Sequence, residues 1–220
     1  MSDRDQINAG TGAPNLPSDA LLAAYASGTA SAGMSLLVQT HLAMSAASHD
    51  RLSRLDALGG ALLRSGHDVA MAEGALAATL DRLEMDDAPS ETAADGPLPG
   101  PLAAALPSGF DELKWRFRLP GLHECVLDGF DPDEEVSLLR ARPGAGMLQH
   151  THNGEEATLI LAGEMTDGDT VLRPGDVAEA DGDHDHRPRI TGDETCYCLI
   201  VTRGAMRFTG PLGRALNIFT

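Results

Sequence analysis

The chain has 220 residues, 42% of them hydrophobic and 22% charged, and a formal net charge of −17. That length suits one large domain or two small ones, and the negative charge opposes direct nucleic-acid binding while permitting a basic protein partner. No run approaches the roughly 20 apolar residues of a membrane span, the N-terminus lacks a signal peptide's basic start and apolar middle, and three cysteines without framework spacing point to reduced thiols in the cytoplasm.

Residues 1–15 read as a disordered tail. Ser18 offers an N-cap to a short helix over 19–27, which Gly28 stops. A second helix spans 31–45, with Met34, Leu37, Val38, His41 and Leu42 at helical spacing. Leu52, Leu55, Leu58, Leu62 and Leu63 mark a third, and Ala72, Ala75, Leu76, Leu80 and Leu83 a fourth. Four short helices over 16–84 make a unit near the lower size limit for unaided stability, the kind that relies on a metal or a partner to cover its apolar face. Charge is unevenly divided: residues 1–84 carry net −4 and residues 85–220 net −13. The acidic, Pro-, Gly- and Ala-rich stretch 85–106 reads as a flexible linker.

From Phe110 the period becomes two. Trp115, Phe117 and Leu119 alternate with charged residues, and so do segments near 122–128, 134–141, 157–165, 169–173 and 195–202. Turn pairs such as Pro143-Gly144, Asp167-Gly168 and Pro174-Gly175 separate them. Many short strands at this spacing predict an all-β sandwich or barrel over 107–220. The fold class is therefore α+β: a short helical bundle, then an all-β domain.

Within that domain, Gly144, His150, His152, Glu156 and Gly163 stand in the register G-x5-H-x-H-x3-E-x6-G. Histidines at i and i+2 of a strand share a face, and a turn at Asn153-Gly154 brings the carboxylate back to the same point. Three ligands are then set around a divalent cation, and a fourth from a distant strand completes a 3-His, 1-carboxylate site. Downstream, His184 and His186 both qualify by alternation; His186 is the preferred ligand, and His184, in an acidic run, is left beside the site or exposed. Zinc suits this set first, with Mn, Fe or Ni also compatible. The register resembles the metal motif of cupins, and Gly168-x5-Pro174-Gly175-Asp176 resembles the start of their second motif, without its usual histidine spacing.

The wider chain is similar to the ChrR-type anti-sigma factors. The resemblance runs through SDALLAAYASGTASAGMSLLVQTHLAMSAAS, LDALGGALL, RPGDVAEADGDHDHRP and CYCLIVTRGAMRFTGPLGRALN, across nearly all of 16–217. It implies a helical domain that sequesters an extracytoplasmic-function-type sigma factor in the cytoplasm. It also implies a metal-binding cupin (double-stranded β-helix) barrel, with His186 as last ligand, that modulates release under oxidative or photo-oxidative stress. The family's helical domain carries H-x3-C-x2-C plus an upstream histidine. Here His41, Ser45 and Ser48 occupy that register, and NLPSD stands upstream. A serine hydroxyl does not ionise near neutral pH and cannot replace a thiolate on zinc, so no metal is expected in the N-terminal domain. Cys196 and Cys198, at i and i+2 of a strand, leave either an oxidisable pair or core thiols, the latter preferred; Cys125 reads as core. The competing class is a cupin dioxygenase or isomerase whose helices only mediate oligomerisation. The chain is expected to be a monomer or homodimer.

Overall fold

The structure, a computed structural model, describes residues 14–85, 98–106 and 109–210. Most of the expected tail and the centre of the expected linker lie outside the described residues.

The first helix starts where its expected cap places it, and the second starts on a serine cap of its own. Helix α1 (Asp19–Ala26) follows Ser18, whose hydroxyl accepts the Leu21 N–H, and α2 (Ala32–Met44) follows Ser31, which does the same for Met34. Helices α3 (His49–Arg64) and α4 (Ala75–Met85) complete the predicted four. A fifth, α5 (Gly100–Ala105), lies where a linker was expected. Its proline sits in the first turn, where no backbone N–H is needed, and Leu102 is fully buried where α5 packs on α2. Residues 98–106 therefore belong to the packed body, and so does the end of the expected tail, since the Asn15 amide bonds Asp176.

Eleven strands follow: β1 (Arg116–Leu119), β2 (Leu122–Leu127), β3 (Glu134–Ala141), β4 (His150–His152), β5 (Glu156–Ala162), β6 (Glu164–Asp167), β7 (Thr170–Leu172), β8 (Val177–Ala180), β9 (Arg189–Thr191), β10 (Cys196–Arg203) and β11 (Met206–Phe208). All pairings are antiparallel. One layer is the sheet β1-β2-β3-β10-β5-β8. In the other, the ribbons β7-β6-β9 and β11-β4 are joined by bridges between 146 and 189 and between 150 and 186. The two layers enclose an apolar interior of Leu122, Leu139, Ile160, Met165, Leu172, Ile190 and both Cys196 and Cys198. The expected alternation fails at β1, the edge strand: Phe117 is 67% exposed, beside a register irregularity between Phe117 and Leu119.

The helical unit does not close on itself. Met34, Leu36 and Leu37 of α2, with Leu102, form one continuous core with Leu127, Val136, Leu138, Leu159, Leu199 and Val201 on the outer face of the larger sheet. Close approach is possible because position 33 is glycine: a Cβ there would lie 2.5 Å from Val136 Cγ2 and 2.8 Å from the Glu134 carboxyl carbon. The buried Glu134 carboxylate accepts the Gly33 N–H at 2.9 Å and the Ser31 hydroxyl, so a strand residue caps α2. Glu179 of β8 likewise accepts the Ser18 N–H at 2.6 Å and its hydroxyl at 2.8 Å at the start of α1. A carboxylate at a helix N-terminus meets free N–H groups and the positive end of the dipole.

Glycine to alanine inside a helix ordinarily adds up to about 1 kcal/mol of stability. Gly59→Ala in α3, where a Cβ meets open space, is expected to follow that rule. Gly33→Ala is expected to reverse it, lowering the urea midpoint, because Val136 or Glu134 must shift. Equal and positive effects at the two positions would contradict the seating of α2.

Candidate metal centre

His150 and His152 lie on β4 with Thr151 between them, and Glu156 opens β5 after the turn at Asn153-Gly154. His186 arrives on the partner segment, held by reciprocal backbone hydrogen bonds with His150 at 3.0 and 2.9 Å. It lies in this single bridge and not in a regular strand, so the pairing with His150, not alternation, selects it over His184. The four side chains are buried, and one ligand atom from each lies within 4.8 Å of the others. His184 stays outside that set, its ring 5.3 Å from that of His186.

Hydrogen bonding on the far side of two rings fixes their tautomers. His150 Nδ1–H donates to the Leu148 carbonyl at 2.8 Å, and His186 Nδ1–H donates to Asp167 Oδ2 at 2.6 Å. Each Nε2 therefore turns a lone pair inward, the arrangement in which a second partner orients a metal-binding histidine. His152 Nε2 lies 3.2 Å from His186 Nε2 and 3.3 Å from Glu156 Oε2. Tetrahedral coordination at about 2.0–2.1 Å from each nitrogen separates ligand atoms by about 3.3 Å, so these spacings fit a single small cation. Three inward nitrogens and a buried carboxylate otherwise crowd acceptors together. The His152 Nδ1 atom is buried without a hydrogen-bond partner.

The electrostatics point the same way. Burial, reinforced by the neighbouring histidines, lowers the His152 pKa to about 4, and burial lowers His150 as well. Both are neutral, ligand-ready imidazoles at physiological pH. Burial raises Glu156, a cost a bound cation would offset. At His186 burial also opposes charge, but the hydrogen bond and charge of Asp167, with Glu156, raise its pKa. Asp167 was legible in the sequence only as part of a turn pair; nothing in its spacing identified the His186 contact.

The degenerate register on α2 is repacked. His41, fully buried, donates from Nδ1 to the Gly175 carbonyl at 2.7 Å, and the Ser48 hydroxyl donates to its Nε2 at 2.8 Å. Both ring nitrogens are thus engaged. Ser45 is apart from this pair, its hydroxyl accepting the Ala47 N–H. Cys196 and Cys198 point into the barrel with sulfurs 3.6 Å apart, both fully buried. Their mutual hydrogen bond lowers the Cys196 pKa and raises that of Cys198. Cys125 is buried in the core beneath the helices.

Comparison with known proteins agrees with this architecture. Residues 108–206 match the ChrR cupin-like domain. The chain is 35% identical over 206 residues to the anti-sigma-E factor ChrR of Cereibacter sphaeroides, spanning 92% of this chain and 95% of that one. This chain belongs to the ChrR family of anti-sigma factors. The crystal structure of Rhodobacter sphaeroides SigE in complex with the anti-sigma ChrR aligns with a TM-score of 0.74 at 32% identity, covering 86% of this chain and 98% of that chain. The ChrR relative is an anti-sigma factor, which supports the regulator reading of this chain over the dioxygenase or isomerase one. The cupin domain carries a His/Glu cluster suited to a metal, and no helix among the described residues is long and apolar enough to cross a membrane.

Burial lowers the His41 pKa from 6.5, and the Gly175 carbonyl and Asp176 offset this only in part. The unfolded chain therefore takes up a proton at His41 before the folded one does. Stability from neutral His41 is whole above about pH 6.5 and is lost as pH falls towards the folded value. His150 and His152 act in the same direction, so the measurement is a difference. The stability advantage of the wild type over His41→Gln is expected to shrink between about pH 7.5 and about pH 5.5 in urea titrations; a constant advantage would contradict a buried neutral His41.

Proposed function

We propose that this chain sequesters a sigma factor of the extracytoplasmic-function type in the cytoplasm, holding it on the outer faces of α3 and α4. The observation that carries this reading is an uncovered apolar stripe. Leu58 and Leu62 on α3, and Leu76, Leu80 and Leu83 on α4 at i, i+4 and i+7, are all more than half exposed. In a soluble chain such a stripe at helical spacing marks a partner surface. The strongly acidic charge suits a basic partner, and the ChrR relative is seen in complex with SigE. The working division is a sigma-binding helical unit over 16–84 and a cupin domain over 107–220, with 98–106 packed against the helices.

A central leucine in a protein interface contributes on the order of 2 kcal/mol, or about thirtyfold in affinity. Leu76→Asp and Leu80→Asp in the full chain are each expected to weaken capture of the sigma factor by at least that factor. Circular dichroism should be unchanged, because both side chains face solvent in the free protein. Unimpaired capture by both variants would overturn the placement of the partner.

The barrel, in the same reading, holds one divalent cation through His150, His152, Glu156 and His186, zinc first and Mn, Fe or Ni as alternatives. Such a cation would neutralise the buried Glu156 and tie β4, β5 and the 186 segment together, so its binding state bears on when the sigma factor is released. In this reading the helical unit needs no metal, since the Gly175 carbonyl and the Ser48 hydroxyl engage both nitrogens of His41. Elemental analysis is expected to find one equivalent per chain and much less in His152→Ala. Two equivalents in the wild type would show that the helical unit also binds metal. Cys196 and Cys198 are read as core thiols rather than a redox pair, because both are fully buried in the apolar interior of the barrel.

A further inference from the structure

The outer face of the larger sheet has an end that α1 to α5 do not cover among the described residues, and its charged side chains are basic in a strongly acidic chain. Along β3 the outward residues run Val136, Leu138, Arg140, with Arg142 just beyond the strand end. The first two lie in the core beneath α2. Register places His123 of β2 and Tyr197 of β10 on either side of Arg140. These residues, with Gly121, Arg142 and Thr195, line a cavity of about 230 Å³.

The charges here are unusual in their company. The chain has 33 acidic residues against 16 basic ones, yet among the described residues neither Arg140 nor Arg142 makes an ion pair with a carboxylate. Other arginines, such as Arg51, Arg118 and Arg173, do. Asp193 and Glu194 lie in the turn before Thr195 and line no part of the cavity. Arg140 is held in place from another direction: its guanidinium lies 4.7 Å from the centre of the Trp115 ring. Trp115 in turn packs edge-to-face with Tyr197 and Phe110. A guanidinium stacked on indole keeps its N–H edge free for a bidentate acceptor.

We propose that this cavity is a binding site for a small oxyanion, a carboxylate or a phosphate, gripped by Arg140 and Arg142 with His123, Tyr197 and Thr195 as polar partners. Its size admits inorganic phosphate or a short dicarboxylate and no macromolecule. Paired guanidiniums match the two-oxygen geometry of both anions. Through Arg140, Trp115 and Tyr197 the cavity abuts the core on which α2 sits, so an occupant would stiffen the uncovered end of that core.

The test is calorimetric titration of the full chain with inorganic phosphate and, separately, with succinate. Binding of either anion is expected, and the better of the two identifies the source. Arg142→Gln, at an exposed position whose loss leaves the core intact, is expected to weaken it about tenfold or more, as for loss of a charge-assisted contact. Arg64→Gln, which removes one positive charge on α3, is expected to leave it unchanged. Absence of binding by both anions at millimolar concentration would overturn the proposal. Equal weakening by the two variants would do so as well, since it would reduce the effect to overall charge.

Discussion

Helix α2 lies on the larger sheet, and the rest of the molecule is arranged around that contact. Its apolar side shares a core with β3, β5 and β10, and its first turn is capped by Glu134. Its far half is pinned by His41 to the Gly175 carbonyl. Burial against the barrel, and carboxylates placed at the starts of α1 and α2, hold the helical unit in place. His41 stays in the interior because Ser48 and Gly175 satisfy both of its nitrogens, which a lone buried imidazole could not otherwise manage.

This division of labour separates two surfaces of the helical unit. Helix α2 is committed to the barrel, whereas Leu58 and Leu62 of α3 and Leu76, Leu80 and Leu83 of α4 stay more than half exposed among the described residues. A helical unit that fully buried its own leucines would be more stable alone and useless as a trap for another protein. The barrel's metal-ligand cluster lies in the opposite layer of strands and reaches the helices through β5, which carries Glu156 at its start and Ala157 and Leu159 in the core under α2. A metal held by this cluster would share a strand with the seat of the helices. That gives a physical route by which the one site could influence the other.

Much of this was legible from residue order. Ser18 marked a helix start because capping is a local hydrogen-bond problem. The His150, His152 and Glu156 register marked the site because strand alternation and one tight turn suffice to converge three side chains. Pairings across long separations were not legible. Nothing local links Glu134 to Gly33, Asp167 to His186 or His41 to Gly175, and those contacts orient the histidines and hold the two parts together. Residues 98–106 misled through composition: proline and glycine signal a linker, yet Leu102, with Leu98, Ala105 and Leu106 beside it, anchors a turn of helix on the core under α2. His184 stands in an acidic run, which favoured His186, and a backbone bridge to His150 is what distinguishes the two in the structure.

The central claim is that the helices and the barrel unfold as one body, without zinc between the helices. Native-state hydrogen exchange measures it directly, since amides in one cooperative unit share one opening free energy. The account predicts that the core amides of α2 exchange with the same free energy as those of β3 and β10, while α4 exchanges faster. Amides of α2 that open well below the sheet, as in an independently tethered domain, would contradict it.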